Sequence, residues 1–230
     1  MKNEEKARRV IQTLTGPWEE RVRYKMARAL PSWIKPDHLT VLGIIAGFII
    51  SFGFIMLWVS PWWVMLSNAG FVIHWWADSL DGALARVRHR EREKYGYFVD
   101  HICDAFSTVL ICVGLSLSPL VHPGIGLGLA IGYLLMNVYV HITTYIERVF
   151  RLSYGRFGPT EVRIIFMLGT SLVAFWNPVF FRIETTAFTL ADTTALTFAV
   201  LIVIIFVVAS IKKAVEFDKA DRKGWNQKNS

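Results

Sequence analysis

Two pairs of aspartates have the residue type and spacing best suited to chemistry in this sequence. Asp78 and Asp81 stand three residues apart, and either a three- or a four-residue step keeps two side chains on one face of a helix. Asp100 and Asp104 stand four residues apart. A short basic link joins the two pairs. We therefore predict antiparallel neighbouring helices that carry all four carboxylates at the same depth.

These carboxylates interrupt apolar segments, where an ionised aspartate costs roughly 2.5–3.5 kcal/mol at the centre of a bilayer. Four such groups also repel one another. Hard divalent cations with oxygen ligands, Mg²⁺ above all, relieve this repulsion and commonly serve phosphate chemistry. We predict a metal site at Asp78, Asp81, Asp100 and Asp104. The alternative is a set of salt bridges to Arg86 or to the basic link.

The elements that must position these acids are membrane-spanning helices. Of 230 residues, 53% are hydrophobic and 14% aromatic, and the mean hydropathy is +0.40. That composition argues against a disordered or an ordinary water-soluble chain. A helix needs about 20 mostly apolar residues to cross a bilayer. We predict an all-α integral membrane protein with six transmembrane helices, at residues 39–59, 62–86, 95–118, 124–148, 160–176 and 188–211.

The basic residues give the predicted bundle an orientation. The net charge is +7, and the links after the first and third predicted spans carry none of the basic residues. The positive-inside rule then places both termini and the acidic cluster on the cytoplasmic side. We predict three regions: a cytoplasmic segment 1–38, a six-helix transmembrane domain 39–212 that carries the acidic cluster, and a cytoplasmic tail 213–230. Within the first, an amphipathic helix over 18–29 would lie along the membrane interface, with its apolar face formed by Trp18, Val22, Met26 and Ala29.

Arginines near the fifth predicted span suggest a second binding region. Arg163 lies inside that span, where an unpaired guanidinium would be costly. Glu147 or a bound phosphate could compensate it. Arg151, Arg156 and Arg163 are candidates for binding a phosphate, of a lipid or of a substrate, with plain positive-inside charge as the alternative. For the basic run 88–94 we expect only a solvated link.

The acidic segments resemble a known motif. The run from Asp78 to Arg86 reads D-S-L-D-G-A-L-A-R, and the run from Gly96 to Asp104 reads G-Y-F-V-D-H-I-C-D. Together they resemble the motif of the CDP-alcohol phosphotransferase family, D-x-x-D-G-x-x-A-R followed after a short gap by G-x-x-x-D-x-x-x-D. Every defining position is filled, and six spans with cytoplasmic termini extend the likeness to most of the chain.

This resemblance implies an enzyme that moves a phosphate-bearing group from a CDP-linked donor to an acceptor hydroxyl and releases CMP. The four aspartates would hold two ions of Mg²⁺ or Mn²⁺. Asp81, Asp100 and Asp104 would be catalytic, with Asp104 as the general base. The CDP pocket would be lined by Gly82, Ala85, Arg86 and Gly96. Family members are commonly homodimers.

The donor is left open between two possibilities. We expect CDP-diacylglycerol as donor lipid and a small polar alcohol as acceptor, because the branch that uses CDP-choline or CDP-ethanolamine with diacylglycerol usually has more spans. Residues 100–104 and 160–162 are nevertheless similar to that aminoalcohol branch. An intramembrane prenyltransferase and a cation-coupled transporter are remote alternatives. We expect a multi-pass protein of a prokaryotic plasma membrane, in contact with membrane lipids and with no nucleic-acid partner.

Overall fold

A computed structural model describes residues 8–10, 16–147, 149–151 and 159–228. The described chain is mostly helical, as predicted. The helices are α1 (Gly16–Ala29), α2 (Pro36–Ile55), α3 (Val64–Val87), α4 (Glu93–Ser116), α5 (Pro123–Glu147), α6 (Pro159–Phe175) and α7 (Leu190–Lys228). Two single-turn 3-10 helices, Met56–Trp58 and Pro61–Trp63, make the turn between α2 and α3.

Two small sheets were not predicted. Their strands are β1 (Arg8–Val10), parallel to β2 (Val149–Arg151), and β3 (Val179–Ile183), antiparallel to β4 (Thr186–Thr189). In the hairpin, the ring of Phe181 stacks on that of Phe188 at 4.9 Å. Phe188 and the residue after it were assigned to the sixth span, and that boundary is wrong. Because short aromatic stretches suit a strand as well as a helix, the apolar pattern alone did not separate the two.

Four of the described helices are long and apolar enough to cross a membrane, so the chain is a multi-pass membrane protein. These spans are Pro36–Trp58, Glu93–Ser116, Pro123–Glu147 and Leu190–Arg222. Helices α3 and α6 coincide with the second and fifth predicted spans, but they are not among the helices that are long and apolar enough to cross a membrane. Polar residues such as Asn68, His74 and Asp78 lower the hydropathy of α3, and α6 has 17 residues. A count of six spans remains a prediction.

Helix α2 packs against both α3 and α4. We expected α3 and α4 to be neighbours; their backbones make few close approaches, and the two helices meet instead through the side chains of Asp78, Asp100 and Asp104. Glycines on α2 make this arrangement close. A Cβ built at Gly43 would lie 3.9 Å from Ala77 of α3, and one at Gly47 would lie 3.5 Å from Ser107 of α4. Both acid-bearing helices therefore approach the backbone of α2.

Further from the acids, serines fix the same three helices together. Ser67 of α3 donates a hydrogen bond of 3.0 Å to the carbonyl of Ile50 in α2. Ser51 of α2 donates to the carbonyl of Leu110 in α4. A Cβ at Gly114 would come within 2.5 Å of the Cα of Ser51. The spacing of α2 and α4 is thus set by backbone contact.

Helix α1 packs against α3. Its residue Ala27 is 1% exposed and lies in a cluster with Leu39, Leu80 and Leu84. Of the predicted apolar face, Met26 packs against this cluster, whereas Ala29 is exposed. A helix is therefore present where we predicted one, and its placement along a membrane interface remains a prediction.

Candidate metal and nucleotide site

Three of the four predicted acids converge. Asp78 of α3 and Asp100 and Asp104 of α4 each offer one carboxylate oxygen, and these oxygens lie within 4.8 Å of one another. The acids line a cavity of about 20 Å³ whose wall includes Thr40 and His74. Helix α2 packs against both α3 and α4, and Thr40 in its first turns lines the same cavity as the acids. The predicted convergence is confirmed for these three residues.

Asp81 lies in the wall of the same cavity but points its carboxylate at different partners. Its Oδ2 accepts a hydrogen bond of 3.0 Å from Thr40 Oγ1, and its Oδ1 accepts one of 2.5 Å from the backbone N–H of Gly82. Thr40 was not among the predicted site residues. Its position one turn into the helix that precedes the motif was the available signal.

The donor set fits a divalent cation. Carboxylate oxygens are the ligands that Mg²⁺ and similar hard cations prefer, and two ligands of one ion lie within about 4–5 Å of each other. The oxygens of Asp78, Asp100 and Asp104 satisfy that limit. The predicted alternative would pair these acids with Arg86 or with the basic link. The Nε of Arg86 instead donates a hydrogen bond of 2.9 Å to the hydroxyl of Tyr24 in α1.

The predicted nucleotide residues lie at the ends of α3 and α4 next to the acids. The guanidinium of Arg86 folds back along its own helix, and a Cβ built at Gly82 would lie 3.4 Å from its Nη1. Glycine at that position leaves room for the arginine. A Cβ at Gly96, on the first turn of α4, would meet nothing within 4 Å. Gly82, Ala85 and Arg86 therefore share the last turns of α3, and Gly96 faces open space across the link.

Helix α3 ends in a Schellman motif directly after this segment. The N–H of Arg90 donates to the carbonyl of Ala85 at 3.0 Å, and the N–H of His89 donates to that of Arg86 at 3.1 Å. His89 takes φ 51°, the left-handed conformation that this motif requires. The chain thus turns sharply toward α4, and Arg88 is the C-cap residue directly after α3.

The expectation of a simply solvated link at 88–94 is wrong for Arg88, whereas residues 89–94 are exposed. The guanidinium of Arg88 donates to four backbone carbonyls between α1 and α2, those of Leu30, Pro31, Ser32 and Ile34. Arg92 forms an ion pair with Asp37 in the first turn of α2 and covers the ring of Tyr95 at 4.1 Å. The link therefore ties α3 to the start of α2.

The predicted acceptor arginines are described only in part. Nη2 of Arg163 in α6 lies 3.4 Å from Nδ1 of His74, which lines the acidic cavity. Glu147, one of the expected partners of Arg163, forms an ion pair with Lys213 of α7 instead. Arg151 lies in β2 without a described side chain, and Arg156 lies outside the described residues.

The fold and the site together define a multi-pass membrane protein with clustered carboxylates suited to a divalent cation. Comparison with known proteins identifies the group to which it belongs. The model of the CDP-alcohol phosphatidyltransferase family matches residues 33–216, and the chain belongs to that family.

Several curated relatives are similar to this chain. Cholinephosphotransferase 1 of Danio rerio is 28% identical over 169 residues, which cover 69% of this chain and 43% of the relative. The protein of the same name from Bos taurus is 30% identical over 153 residues, covering 61% and 37% respectively. The Mus musculus protein is 29% identical over 155 residues, covering 61% and 38%. The chain thus spans about two fifths of the length of these relatives.

Proposed function

We propose that this chain transfers a phosphoaminoalcohol group from a CDP-aminoalcohol to the hydroxyl of diacylglycerol and releases CMP. The observation that carries the proposal is the convergence of Asp78, Asp100 and Asp104 on one cavity in a member of this family. The names of the similar relatives favour choline phosphate as the transferred group. This was the alternative in the sequence analysis, and it is now better supported than a CDP-diacylglycerol donor.

Transfer of a phosphatidyl group from CDP-diacylglycerol to a polar alcohol is the second candidate, because the matching family is described by that activity. Both reactions change the same bonds. The acceptor oxygen attacks the phosphorus that bears the alcohol or the lipid, the bond from that phosphorus to the CMP oxygen breaks, and the acceptor proton passes to a base. The two candidates therefore need the same acidic site and differ in which substrate brings the lipid.

The carboxylates of Asp78, Asp100 and Asp104 would hold Mg²⁺ or Mn²⁺, and Asp81 would complete the set by its position in the cavity wall. Bound cations would neutralise the diphosphate and stabilise charge on the attacking and leaving oxygens. The positively charged fork of Arg86 suits a phosphate oxygen. Gly82 leaves room for that guanidinium, and Gly96 faces open space into which the nucleotide would fit.

Asp104 is the proposed general base. It lies one helical turn beyond Asp100, further from the end of α4 at which the helix begins. The hydroxyl of diacylglycerol approaches from the lipid, so the acid that lies deeper along the span is best placed to accept its proton. A positioned base must come within about 2.6–3.2 Å of the proton that it removes.

Arg163 contributes positive charge beside His74 in the wall of the cavity. We propose that it binds a lipid or acceptor phosphate together with Arg151 and Arg156. The second candidate makes more use of this region, since a phosphorylated acceptor needs such a partner and diacylglycerol does not.

The positive-inside rule supports a cytoplasmic site and cytoplasmic termini. Assembly as a homodimer is proposed from family membership.

The experiment is an assay of the purified full chain in lipid nanodiscs. CDP-choline or CDP-ethanolamine would be supplied with diacylglycerol in one arm, and CDP-diacylglycerol with a panel of polar alcohols in the other, each with Mg²⁺ or Mn²⁺. Mass spectrometry would identify the lipid product and chromatography the CMP. The proposal predicts a phosphoaminoalcohol lipid in the first arm. Product only in the second arm would favour the second candidate, and no CMP in either would overturn both.

A further inference from the structure

One arginine fixes the segment between α1 and α2 to the end of α3. Nη1 of Arg88 donates to the carbonyls of Ile34 and Ser32, the latter at 3.3 Å. Its Nη2 donates to those of Pro31 at 2.7 Å and Leu30 at 3.3 Å. This linker, residues 30–35, begins directly after α1. All four carbonyls belong to this linker, and a planar guanidinium can donate to several oxygen atoms at once.

The same helix, α1, holds the partner of the proposed nucleotide arginine. The hydroxyl of Tyr24 accepts the hydrogen bond from Nε of Arg86, and the guanidinium carbon of Arg86 lies 5.8 Å from the tyrosine ring. Tyr24 lies less than two turns before the C-terminal end of α1, where the linker that Arg88 contacts begins. The orientation of α1 therefore decides whether Tyr24 can hold Arg86.

We propose that Arg88 is a positioning residue for the nucleotide end of the site, acting through α1 and Tyr24 on Arg86. The inference rests on the proposed function, in which Arg86 binds the donor diphosphate. Arg88 itself would touch no substrate. It would set the place of α1, and α1 would hold the guanidinium of Arg86 in one orientation before the donor arrives. Pre-orientation of this kind lowers the ordering cost of binding.

The fold does not depend on the hydrogen bonds of the Arg88 guanidinium alone. Ala27 remains buried against Leu80, Ala83 and Leu84 without it, and Thr40 still joins α2 to Asp81. Loss of Arg88 should therefore loosen α1 without unfolding the bundle. Since the acids lie on α3 and α4, the chemical step should be affected less than the binding of the donor.

The test compares Arg88→Ala and Arg88→Lys with Arg90→Ala, a matched control from the same link with an exposed side chain. KM and kcat for CDP-choline and the Kd for CDP with Mg²⁺ would be measured in nanodiscs. We expect Arg88→Ala to raise KM and Kd about tenfold and to lower kcat less than threefold. Arg88→Lys should recover part of the loss, because an ammonium cannot reach all four carbonyls as a planar fork does. Arg90→Ala should match the wild type.

A double-mutant cycle separates positioning from general destabilisation. Tyr24→Phe removes the hydroxyl that Arg86 contacts and should raise the KM by a similar factor. If Arg88 acts through Tyr24, adding Arg88→Ala to Tyr24→Phe should change KM less than threefold further. Multiplicative effects of the two changes, or a fall in kcat at unchanged KM, would overturn the inference. Should Arg88→Ala fail to fold by size-exclusion chromatography, the same cycle with Arg88→Lys decides it.

The wild-type measurements keep the two hypotheses apart. A wild-type chain that neither binds CDP nor releases CMP contradicts the proposed function itself. A wild-type chain that does both, with Arg88→Ala and Arg88→Lys indistinguishable from it, contradicts only the role of Arg88.

Discussion

Thr40 of α2 donates a hydrogen bond of 3.0 Å to the carboxylate of Asp81 in α3, 41 residues further along the chain. The contact joins the central helix to the first half of the acidic motif. It fixes one oxygen of Asp81, while the N–H of Gly82 fixes the other. Asp81 is thereby oriented from two sides beside the cavity that Asp78, Asp100 and Asp104 line.

Thr40→Val should weaken the site without disturbing the packing, because valine keeps the shape of threonine and loses only the hydroxyl. A hydrogen bond to a charged group contributes about 1.5–3 kcal/mol, so the Mg²⁺ concentration for half-maximal turnover should rise roughly tenfold. The measurement is a Mg²⁺ titration of CMP release. Thr143→Val is the matched control, since the Thr143 hydroxyl donates within its own helix. Equal titrations for Thr40→Val and the wild type would contradict a role for the contact.

At saturating Mg²⁺, Asp104→Asn should abolish turnover and largely keep the binding of the CDP donor. The amide cannot accept the acceptor proton, and positioned bases contribute about 10²- to 10⁴-fold to a rate. Single-turnover assays and CDP binding on the same preparation would report the two quantities. Asp37→Asn is the comparison variant, since Asp37 lies outside the acidic cavity in an exposed ion pair with Arg92. Turnover near the wild-type rate in Asp104→Asn would remove the general-base assignment.

Gly114→Ala should destabilise the bundle. The added Cβ would stand 2.5 Å from both the Cα and the Oγ of Ser51, so α2 and α4 would have to separate. Overpacking of this kind costs about 1–3 kcal/mol, which thermal unfolding in detergent would detect as a lower Tm. Gly128→Ala is the matched control on α5, where the new Cβ meets nothing within 4 Å. An unchanged Tm in Gly114→Ala would refute the close approach of the two helices.

The spacing of the motif predicted which acids come together better than it predicted how the surrounding helices pack. A step of three or four residues fixes which helical face a side chain occupies, and that was sufficient to bring Asp78, Asp100 and Asp104 together. The same spacing does not say which other helix packs against both. The glycines at 43 and 47 were the available signal that α2 would approach α3 and α4 closely.

The partners of Arg88 and Glu147 could not be predicted from the sequence. The four carbonyls that Arg88 binds belong to the backbone of a distant segment, and backbone groups carry no mark of their partners in the sequence. Glu147 accepts a hydrogen bond from Lys213, 66 residues away, and not from the expected partner Arg163. Charge patterns predict that buried charges are paired, and the packing of the helices decides which pairs form.

Binding of Mn²⁺ to the three carboxylates is the most direct test of the account. Electron paramagnetic resonance would follow a titration of the full chain in nanodiscs with Mn²⁺, with and without CDP. We predict saturable binding in the wild type, tightened by CDP, and a loss of at least tenfold in affinity for each of Asp78→Asn, Asp100→Asn and Asp104→Asn. Binding in all three variants equal to that of the wild type would contradict a cation site at these residues.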